Sequence, residues 1–246
     1  MTPRTAAAGE IARRRTWLCD LDGTLVDSAP VHRAAFHAAL AEVAPGLLAS
    51  FRYEAHTGAS TADVAAALGA DPEVATRLAR RKQQLYRGYV ASGQVNVFPG
   101  ARRLLDRLAS GGRTAYLVTS GSRESVERVL SAAALGGYFR GVLTADDVPA
   151  SKPHPGCYLE ACRRWAIDPD DAVAVEDSAH GVAAAVSAGL VTLQVHAAEP
   201  APGAIVVDRL DDVVSLLDAE LLDVELLDAK AAEPAKAAEG KVDVRD

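Results

Sequence analysis

Short apolar runs alternate with amphipathic helical patterns along most of this chain. Each run is rich in Val, Leu or Ile and is too short for an ordinary helix, so we interpret the runs as buried strands. The predicted strands are Trp17–Leu21, Thr114–Thr119, Gly141–Thr144, Ala172–Val175, Val191–Val195 and Ile205–Val207. The predicted helices are Gly100–Ser110, Arg123–Ala134, Pro155–Ala166, Ser178–Ala188 and Leu210–Leu217. The alternation predicts an α/β fold in which helices cover both faces of a parallel sheet.

The stretch between the first two predicted strands breaks this alternation. Up to Val97 it offers no convincing strand, only the helical patterns Pro30–Val43, Thr61–Leu68 and Glu73–Val90. We therefore predict a Rossmann-like parallel sheet core made of residues 16–29 and 97–218, with an inserted helical cap at residues 30–96.

The composition of both terminal segments indicates that they lie outside the predicted core. Residues 1–15 are rich in Ala and Arg and lack the apolar stretch of a signal peptide, so we expect a flexible N-terminal extension. Residues 219–246 form a C-terminal tail. Its Leu-Leu-Asp repeat advances by about 500° around a helix and so gives no continuous apolar stripe. We expect the tail to be disordered from about residue 229.

Composition excludes several classes of function. The chain has 246 residues, 49% of them hydrophobic, which is enough to bury a sizeable core. Aromatic residues make up only 5% and no basic stripe occurs, so we expect no nucleic-acid partner. No apolar run approaches the roughly 18 residues of a membrane span, and three cysteines without CxxC spacing favour a reducing compartment. We expect a cytoplasmic monomer or homodimer with no membrane attachment.

The first predicted strand ends in two acids, Asp20 and Asp22, followed by Gly23 (WLCDLDGTLVDS). Both carboxylates would emerge at the carboxyl end of a central strand, where open α/β sheets bind ligands. Two carboxylates this close repel each other unless a cation such as Mg²⁺ joins them, and one can then stay an anionic nucleophile while the other carries a proton. A turn without chemistry is the alternative interpretation.

A second predicted strand ends in the polar sequence Thr119-Ser120-Gly121-Ser122, and a helix follows it. Hydroxyl groups and free backbone N–H groups at the start of a helix suit a phosphate oxygen. A Ser/Gly turn that only caps the helix would have the same sequence.

Two further strand ends carry charged side chains. Lys152, in SKPHPGCYLEA, would place an ammonium where it neutralises a nucleophile and a phosphoryl group. Glu176 and Asp177, in AVAVEDSAHG, are hard oxygen ligands of the kind that Mg²⁺ prefers. A solvated lysine and a helix-capping acid are the alternatives. Four strand ends with complementary chemistry nevertheless favour a single phosphate site.

This set of motifs resembles the haloacid dehalogenase-like superfamily. DxDGTxxDS, a strand-terminal Ser, SKPxP and EDSxxG occur in this order between about Thr16 and Val195. The resemblance implies that Asp20 attacks phosphorus to form an aspartyl-phosphate, and that Asp22 protonates the leaving alcohol and then deprotonates water.

The resemblance also implies the rest of the site. Ser120, with Gly121 beside it, and Lys152 would hold the phosphoryl oxygens. Mg²⁺ would be bound by Asp20, the backbone carbonyl of Asp22 and Asp177, with Glu176 as the further acid of the metal site.

The insertion resembles the helical cap of the subgroup that contains β-phosphoglucomutase and phosphoglycolate phosphatase. His32 lies in what looks like the hinge and first cap helix, where it would approach the substrate, although a packing role fits it too. Mutase-like relatives carry an Arg where this chain has Thr61, and that Arg would clamp a second phosphate. Its absence favours a hydrolase, although Arg52, His56 or Lys82 could replace it.

The sequence thus predicts a Mg²⁺-dependent phosphatase for a small phosphorylated metabolite, either a sugar phosphate or a phosphoglycolate-like acid. A phosphomutase is the alternative enzyme. A catalytically inactive binding module is the alternative of a different class, and it would be indicated by a broken motif.

Overall fold

The structure, a computed structural model, describes residues 9–11, 13–57, 59–197 and 199–219. Its strands are β1 Thr16–Cys19, β2 Val26–Asp27, β3 Asn96–Val97, β4 Thr114–Val118, β5 Phe139–Leu143, β6 Ala172–Glu176, β7 Val191–Val195 and β8 Ile205–Val207. Six of them form one parallel sheet in the order β5-β4-β1-β6-β7-β8. The predicted α/β fold class with a parallel, Rossmann-like sheet is confirmed.

Helices cover the sheet and fill the stretch between β2 and β3. They are α1 Ala29–Val43, α2 Pro45–Leu48, α3 Thr61–Ala67, α4 Pro72–Ala91, α5 Ala101–Ser110, α6 Arg123–Ala132, α7 Gly156–Trp165 and α8 Ala179–Ser187. Residues 210–219 are helical as well. The buried Leu216 and Leu217 fit the predicted end of a core helix there.

Strand β1 shows why continuous apolar runs mark this sheet. Successive side chains of a strand point to opposite faces, so a strand covered on both sides must be apolar throughout. Trp17 and Cys19 pack in a cluster with α5 and α6, whereas Leu18 packs in a second cluster with α7 and α8. All three side chains are fully buried.

The helices between β2 and β3 have an apolar interior of their own. Phe36 and Leu40 of α1 pack with Phe51 and with Leu78 of α4 in a third cluster. Tyr86, on the same helix as Leu78, belongs instead to the main cluster on the sheet. The long helix α4 therefore contributes to both apolar interiors and brings its C-terminal half to the sheet.

The two chain segments that join the sheet to these helices pair with each other. Strands β2 and β3 are antiparallel, with Val26 opposite Val97 and Asp27 opposite Asn96. The prediction of no strand up to Val97 is therefore wrong at its end. A two-residue strand is too short to give a detectable alternation of apolar and polar residues.

The prediction that residues 1–15 form a flexible extension needs a correction for residues 9–11 and 13–15, which the structure describes. Ile11 is fully buried in the main apolar cluster, and the Arg14 side chain donates a hydrogen bond to the carbonyl of Asp170. The docked chain therefore begins before residue 16. Residues 1–8 and the predicted disordered tail from about residue 229 lie outside the described residues. Among the described residues, no helix is both long and apolar enough to cross a membrane.

A core truncation tests the packing of the central sheet. Leu117 of β4 is fully buried, so Leu117→Ala should lower the free energy of unfolding by about 2–5 kcal/mol through lost contacts and a residual cavity. Leu159→Ala is the matched control, because Leu159 is 48% exposed and should cost no more than about 0.5 kcal/mol. Urea unfolding of both variants provides the comparison, and equal losses would contradict the assigned packing.

Candidate active site

A cavity of 330 Å³ lies at the carboxyl edge of the sheet, under residues of α1, α3 and α4. The predicted site residues that line it are Asp20, Asp22, His32, Ser120, Gly121, Lys152 and Asp177. Glu176 lies behind this wall and is almost completely buried. The structure thus brings all the predicted site residues to one place.

The sheet order explains this convergence. Strand β1 lies between β4 and β6, and the three strands are parallel, so their carboxyl ends meet at one edge. Asp20 follows β1 directly, Ser120 follows β4 by two residues, and Asp177 follows β6 directly. Residues more than 150 positions apart therefore share one cavity wall.

Lys152 occupies the centre of a buried ion network. Its ammonium donates hydrogen bonds to Asp20 Oδ1 at 2.7 Å, to Glu176 Oε1 at 2.6 Å and to the carbonyl of Val118 at 3.0 Å. These three acceptors use all three N–H groups. Burial disfavours the charged amine, but the Asp20 and Glu176 carboxylates outweigh it and raise the pKa of Lys152 above its ordinary value. The lysine is therefore a fixed cation.

Three acids crowd one side of this network. Asp20, Glu176 and Asp177 each offer a carboxylate oxygen within 4.8 Å of the others. Burial raises the pKa of Asp20, Lys152 opposes that rise, and the charges of Glu176 and Asp177 add to it. Burial and the Glu176 charge also raise the pKa of Asp177, to about 7. Further positive charge is therefore needed to favour the ionised forms of Asp20 and Asp177.

The geometry of these acids fits a hard divalent cation. Carboxylate oxygens are the donors that Mg²⁺ prefers. Gly23 leaves room for Asp177, since a Cβ at Gly23 would lie 2.1 Å from Asp177 Oδ2 and the residue has a φ of +86°. Among the described residues, the buried Glu176 Oε2 has no hydrogen-bond partner. The donor set and its unbalanced negative charge therefore suit Mg²⁺.

The loop after β4 presents one free hydroxyl. Ser120 Oγ is buried at the cavity and has no hydrogen-bond partner among the described residues, so it is available to an oxygen of a ligand. Gly121 also lines the cavity, but its backbone N–H donates to Thr119 Oγ1 at 3.1 Å. Ser120 can therefore offer its hydroxyl to a ligand, whereas Gly121, which has no side chain, lets a ligand approach the backbone closely.

A chain of hydrogen bonds from α1 and α4 holds Asp22. The Lys82 ammonium lies 2.8 Å from His32 Nδ1, and His32 Nε2 lies 3.2 Å from Asp22 Oδ1. Since the ammonium can only donate, Nδ1 accepts and the Nε2–H donates to Asp22. The Tyr86 hydroxyl donates to the same carboxylate oxygen at 3.1 Å, and its ring stacks on His32 at 4.0 Å.

The neighbours of Asp22 favour its ionised form. Burial works against its ionisation, but His32 and Lys82 hold the pKa of Asp22 below its ordinary value. The pKa of Asp20, by contrast, is raised. Before substrate binds, Asp22 is therefore ionised, and the proton that a general acid needs is not yet on it. The second oxygen, Asp22 Oδ2, approaches Gly121, 3.6 Å from where a Cβ on that residue would lie.

Sequence reasoning missed two tyrosines. Tyr86 follows Lys82 in RRKQQLY, at helical spacing on the same face. Tyr158 lies in SKPHPGCYLEA, and its fully buried hydroxyl donates to Glu176 Oε1. Burial, reinforced by the Glu176 charge, raises the pKa of Tyr158, so the phenol keeps its proton as a donor. Either tyrosine could have been found only by knowing which acid it faces.

The proposed replacements for the missing Arg have different positions. Lys82, His56 and Thr61 line the cavity. The Arg52 side chain instead donates to the backbone carbonyls of Ala49 and Phe51. Lys82 is therefore the amine that these helices bring to the cavity.

Comparison with known proteins agrees with this geometry. A family model described as haloacid dehalogenase-like hydrolase matches residues 17–195. The chain is 33% identical over 184 residues to Protein CbbY of Rhodobacter capsulatus, covering 70% of this chain and 80% of that protein. It is 33% identical over 184 residues to a phosphoglycolate phosphatase of Nitrosospira multiformis, covering 70% and 78%. A crystal structure of a CbbY mutant from Rhodobacter sphaeroides in complex with xylulose-1,5-bisphosphate has a TM-score of 0.68 at 25% identity, covering 80% and 95%.

Removing the central cation should destabilise the fold. Lys152→Met leaves two buried carboxylates without their partner, so we expect the free energy of unfolding to fall by about 3–5 kcal/mol in metal-free buffer. Lys82→Met is the matched control. It removes a buried ammonium that is hydrogen-bonded to an imidazole, and it should cost less than half as much. Urea unfolding measures both, and equal costs would show that the carboxylates do not depend on Lys152.

Proposed function

The chain belongs to the haloacid dehalogenase-like hydrolase family, and on this premise we propose that it is a phosphatase that hydrolyses a small phosphorylated metabolite through an aspartyl-phosphate on Asp20. One observation carries the proposal. Asp20 is hydrogen-bonded to the fixed Lys152 cation and lines the same cavity as Ser120, whose hydroxyl has no hydrogen-bond partner within the part of the chain that the structure describes. A carboxylate nucleophile next to positive charge and a hydrogen-bond donor is what attack on a phosphoryl group requires.

The first half-reaction transfers the phosphoryl group to Asp20. Ser120 donates to a phosphoryl oxygen, and Lys152, whose three N–H groups already have acceptors, acts through its charge: the ammonium offsets the repulsion between the carboxylate and the phosphate. A bond forms between an Asp20 oxygen and phosphorus while the bond from phosphorus to the substrate oxygen breaks. The leaving alkoxide takes its proton from Asp22.

Asp22 must therefore acquire a proton as the substrate binds. A phosphate dianion next to Asp22 would raise the pKa of this carboxyl, against the effect of His32 and Lys82. In the second half-reaction Asp22 takes a proton from water, and the hydroxide attacks the aspartyl-phosphate to release inorganic phosphate. His32 and Tyr86 hold Oδ1 throughout, which leaves Oδ2 to exchange the proton.

Asp20, Asp177 and the backbone carbonyl of Asp22 would hold Mg²⁺, with Glu176 as the further acid of the metal site. When bound, it neutralises phosphoryl charge and aligns the transferring group. Residues 30–96 act in this proposal as a cap that excludes water during the first half-reaction.

The cavity fits a small hydrophilic metabolite. Its wall from the proposed cap includes the side chains of Tyr53, His56, Ser60, Lys82 and Gln83, which can hydrogen-bond to hydroxyl or carboxylate groups. A volume of 330 Å³ lies at the lower end of the range for small-molecule sites. The relatives named phosphoglycolate phosphatase and CbbY support a phosphoglycolate-like acid or a sugar phosphate.

Hydrolysis is favoured over a mutase reaction by the cap side of the cavity. Thr61 lines the wall without supplying charge, and Lys82 already donates to His32 and lies 4.6 Å from the ring centroid of Phe36. A mutase must grip a bisphosphate until the phosphoryl group returns to the sugar, which needs further positive charge. Water is therefore the proposed final acceptor.

Replacing the nucleophile tests the proposal directly. Asp20→Asn should lower turnover by several orders of magnitude, roughly 10⁶-fold for loss of a nucleophile in a comparable hydrolase, because an amide cannot form the aspartyl-phosphate. Phosphate release from a panel of phosphorylated metabolites in the presence of Mg²⁺ is the measurement, and EDTA should stop it. Asp106→Asn, which changes an aspartate bonded to Tyr138, should retain activity. More than a few per cent activity in Asp20→Asn would remove Asp20 from the mechanism.

The fate of the phosphoryl group separates hydrolase from mutase. β-Glucose 1-phosphate supplied with a hexose bisphosphate tests the mutase reaction, and the metabolite panel identifies a substrate for hydrolysis. We expect one inorganic phosphate for each substrate molecule consumed. A phosphate assay and analysis of the organic product measure the two quantities. Rapid formation of glucose 6-phosphate with almost no free phosphate would instead establish a mutase, with Lys82 as the first candidate for the second clamp.

A further inference from the structure

The segment between α2 and α3 places a tyrosine in the cavity wall. Tyr53 lines the cavity, and two residues of α1 contact its ring: the Arg33 guanidinium lies 5.6 Å from the ring centroid, and the Phe36 centroid lies 6.5 Å away. Burial and the charges of Asp22 and Asp177 raise the pKa of Tyr53, so the phenol keeps its proton. Among the described residues its hydroxyl has no hydrogen-bond partner, and it is therefore a free donor on the side of the proposed cap.

A contact with the sheet domain fixes the same segment over the site. His180 is the second residue of α8 and follows Asp177 by three positions. Its Nδ1 lies 3.2 Å from the backbone carbonyl of Thr57, and since a carbonyl only accepts, the Nδ1–H donates. The segment that carries Tyr53 is thereby held against the helix that begins beside the acids of the site.

The charged side chains of the cavity wall are mostly acidic. They are four carboxylates and two amines: Asp20, Asp22, Asp146, Asp177, Lys82 and Lys152. All three N–H groups of Lys152 have acceptors already. The Lys82 ammonium donates to His32 and lies over the rings of Phe36 and Tyr86, at 4.6 and 5.1 Å from their centroids. Within the described part of this wall, a second anionic group on a substrate finds no uncommitted cation.

We propose that the substrate carries an uncharged tail with hydroxyl groups, as a sugar phosphate or a sugar-alcohol phosphate does, and that Tyr53 is a specificity-determining residue that binds a tail hydroxyl. This inference rests on the proposed phosphatase reaction and decides between the two substrate classes named there. A carboxylate in the tail loses its hydration and faces the acids of the wall, which is costly without a cation. A hydroxyl can accept from Tyr53 and exchange hydrogen bonds with Thr61 and Gln83, which also line the cavity.

Pairs of substrates that differ by one group test the charge argument. A terminal CH₂OH is replaced by a carboxylate between 2-hydroxyethyl phosphate and 2-phosphoglycolate, and between glucitol 6-phosphate and 6-phosphogluconate. In each pair that is hydrolysed, we expect kcat/KM for phosphate release to be at least about tenfold higher for the alcohol, because the carboxylate is repelled and unpaired. Calorimetric titration of the same compounds into Asp20→Asn protein with Mg²⁺ measures the preference as binding, without turnover.

Tyr53→Phe removes the proposed donor and keeps the ring. We expect kcat/KM for the preferred alcohol to fall by roughly three- to tenfold, as for loss of one hydrogen bond. The value for the corresponding alkyl phosphate, ethyl or hexyl, should stay within about twofold, because that tail has no hydroxyl to bind. A purely structural effect would lower both. Tyr138→Phe is the matched control, since the Tyr138 hydroxyl donates to Asp106 and does not line the cavity.

Adding a cation to the wall should reverse the discrimination. Gln83→Lys places an ammonium at a cavity-lining position of α4, and we expect it to raise kcat/KM for the carboxylate relative to the alcohol by about tenfold. Gln84→Lys is the matched control. It adds the same charge to the next residue of α4, which is exposed and outside the cavity wall, and should leave the ratio within about twofold.

Three results would overturn the inference: equal or better hydrolysis and binding of the carboxylate in both pairs, an equal loss for alcohol and alkyl phosphates in Tyr53→Phe, or an unchanged ratio in Gln83→Lys. If Tyr53→Phe does not fold, the substrate pairs with Gln83→Lys and Gln84→Lys decide. Failure of the phosphatase proposal would appear separately, as absent phosphate release from every compound. Titration of the unaltered protein would then still show whether the alcohol or the carboxylate binds more tightly.

Discussion

The site depends on the ion pairs that the buried ammonium of Lys152 forms with Asp20 and Glu176. Removing a charge from water is costly, and only close opposite charges with good hydrogen bonds can offset that cost. Asp20 and Glu176 meet the requirement because they end adjacent parallel strands, β1 and β6, at one edge of the sheet. The sheet order is therefore a condition for the charge balance of the site.

Asp22 connects the sheet to the helices that precede β3. It belongs to the segment after β1, yet its side chain bonds to His32 of α1 and to Tyr86 of α4. Any movement of these helices away from the sheet would change both the orientation and the pKa of this carboxyl. Acid chemistry at Asp22 is in this way tied to the position of the proposed cap, with Lys82 setting the tautomer of the imidazole between them.

Two kinds of feature can be predicted from this sequence: strands and helices with a regular pattern of apolar residues, and polar residues that directly follow a strand. The six strands of the sheet and their terminal polar residues were predicted because apolar runs and turn residues are local signals. Ile11 and the pairing of β2 with β3 were missed because their signal is too short, and Tyr86 and Tyr158 because their partners lie 64 and 18 residues away. Burial of a hydroxyl against a particular acid depends on tertiary packing, which periodicity does not report.

The alternation of side chains along a strand explains how adjacent acids come to differ. Ala172 and Ala174 of β6 point toward the cluster with α7 and α8, so Glu176, of the same parity, points there too. That face carries Tyr158, which binds it. Asp177 follows the last strand residue, leaves that face, and lines the cavity instead. One residue of register thus separates the buried counter-ion of Lys152 from an acid that lines the cavity, although the two are neighbours in the chain.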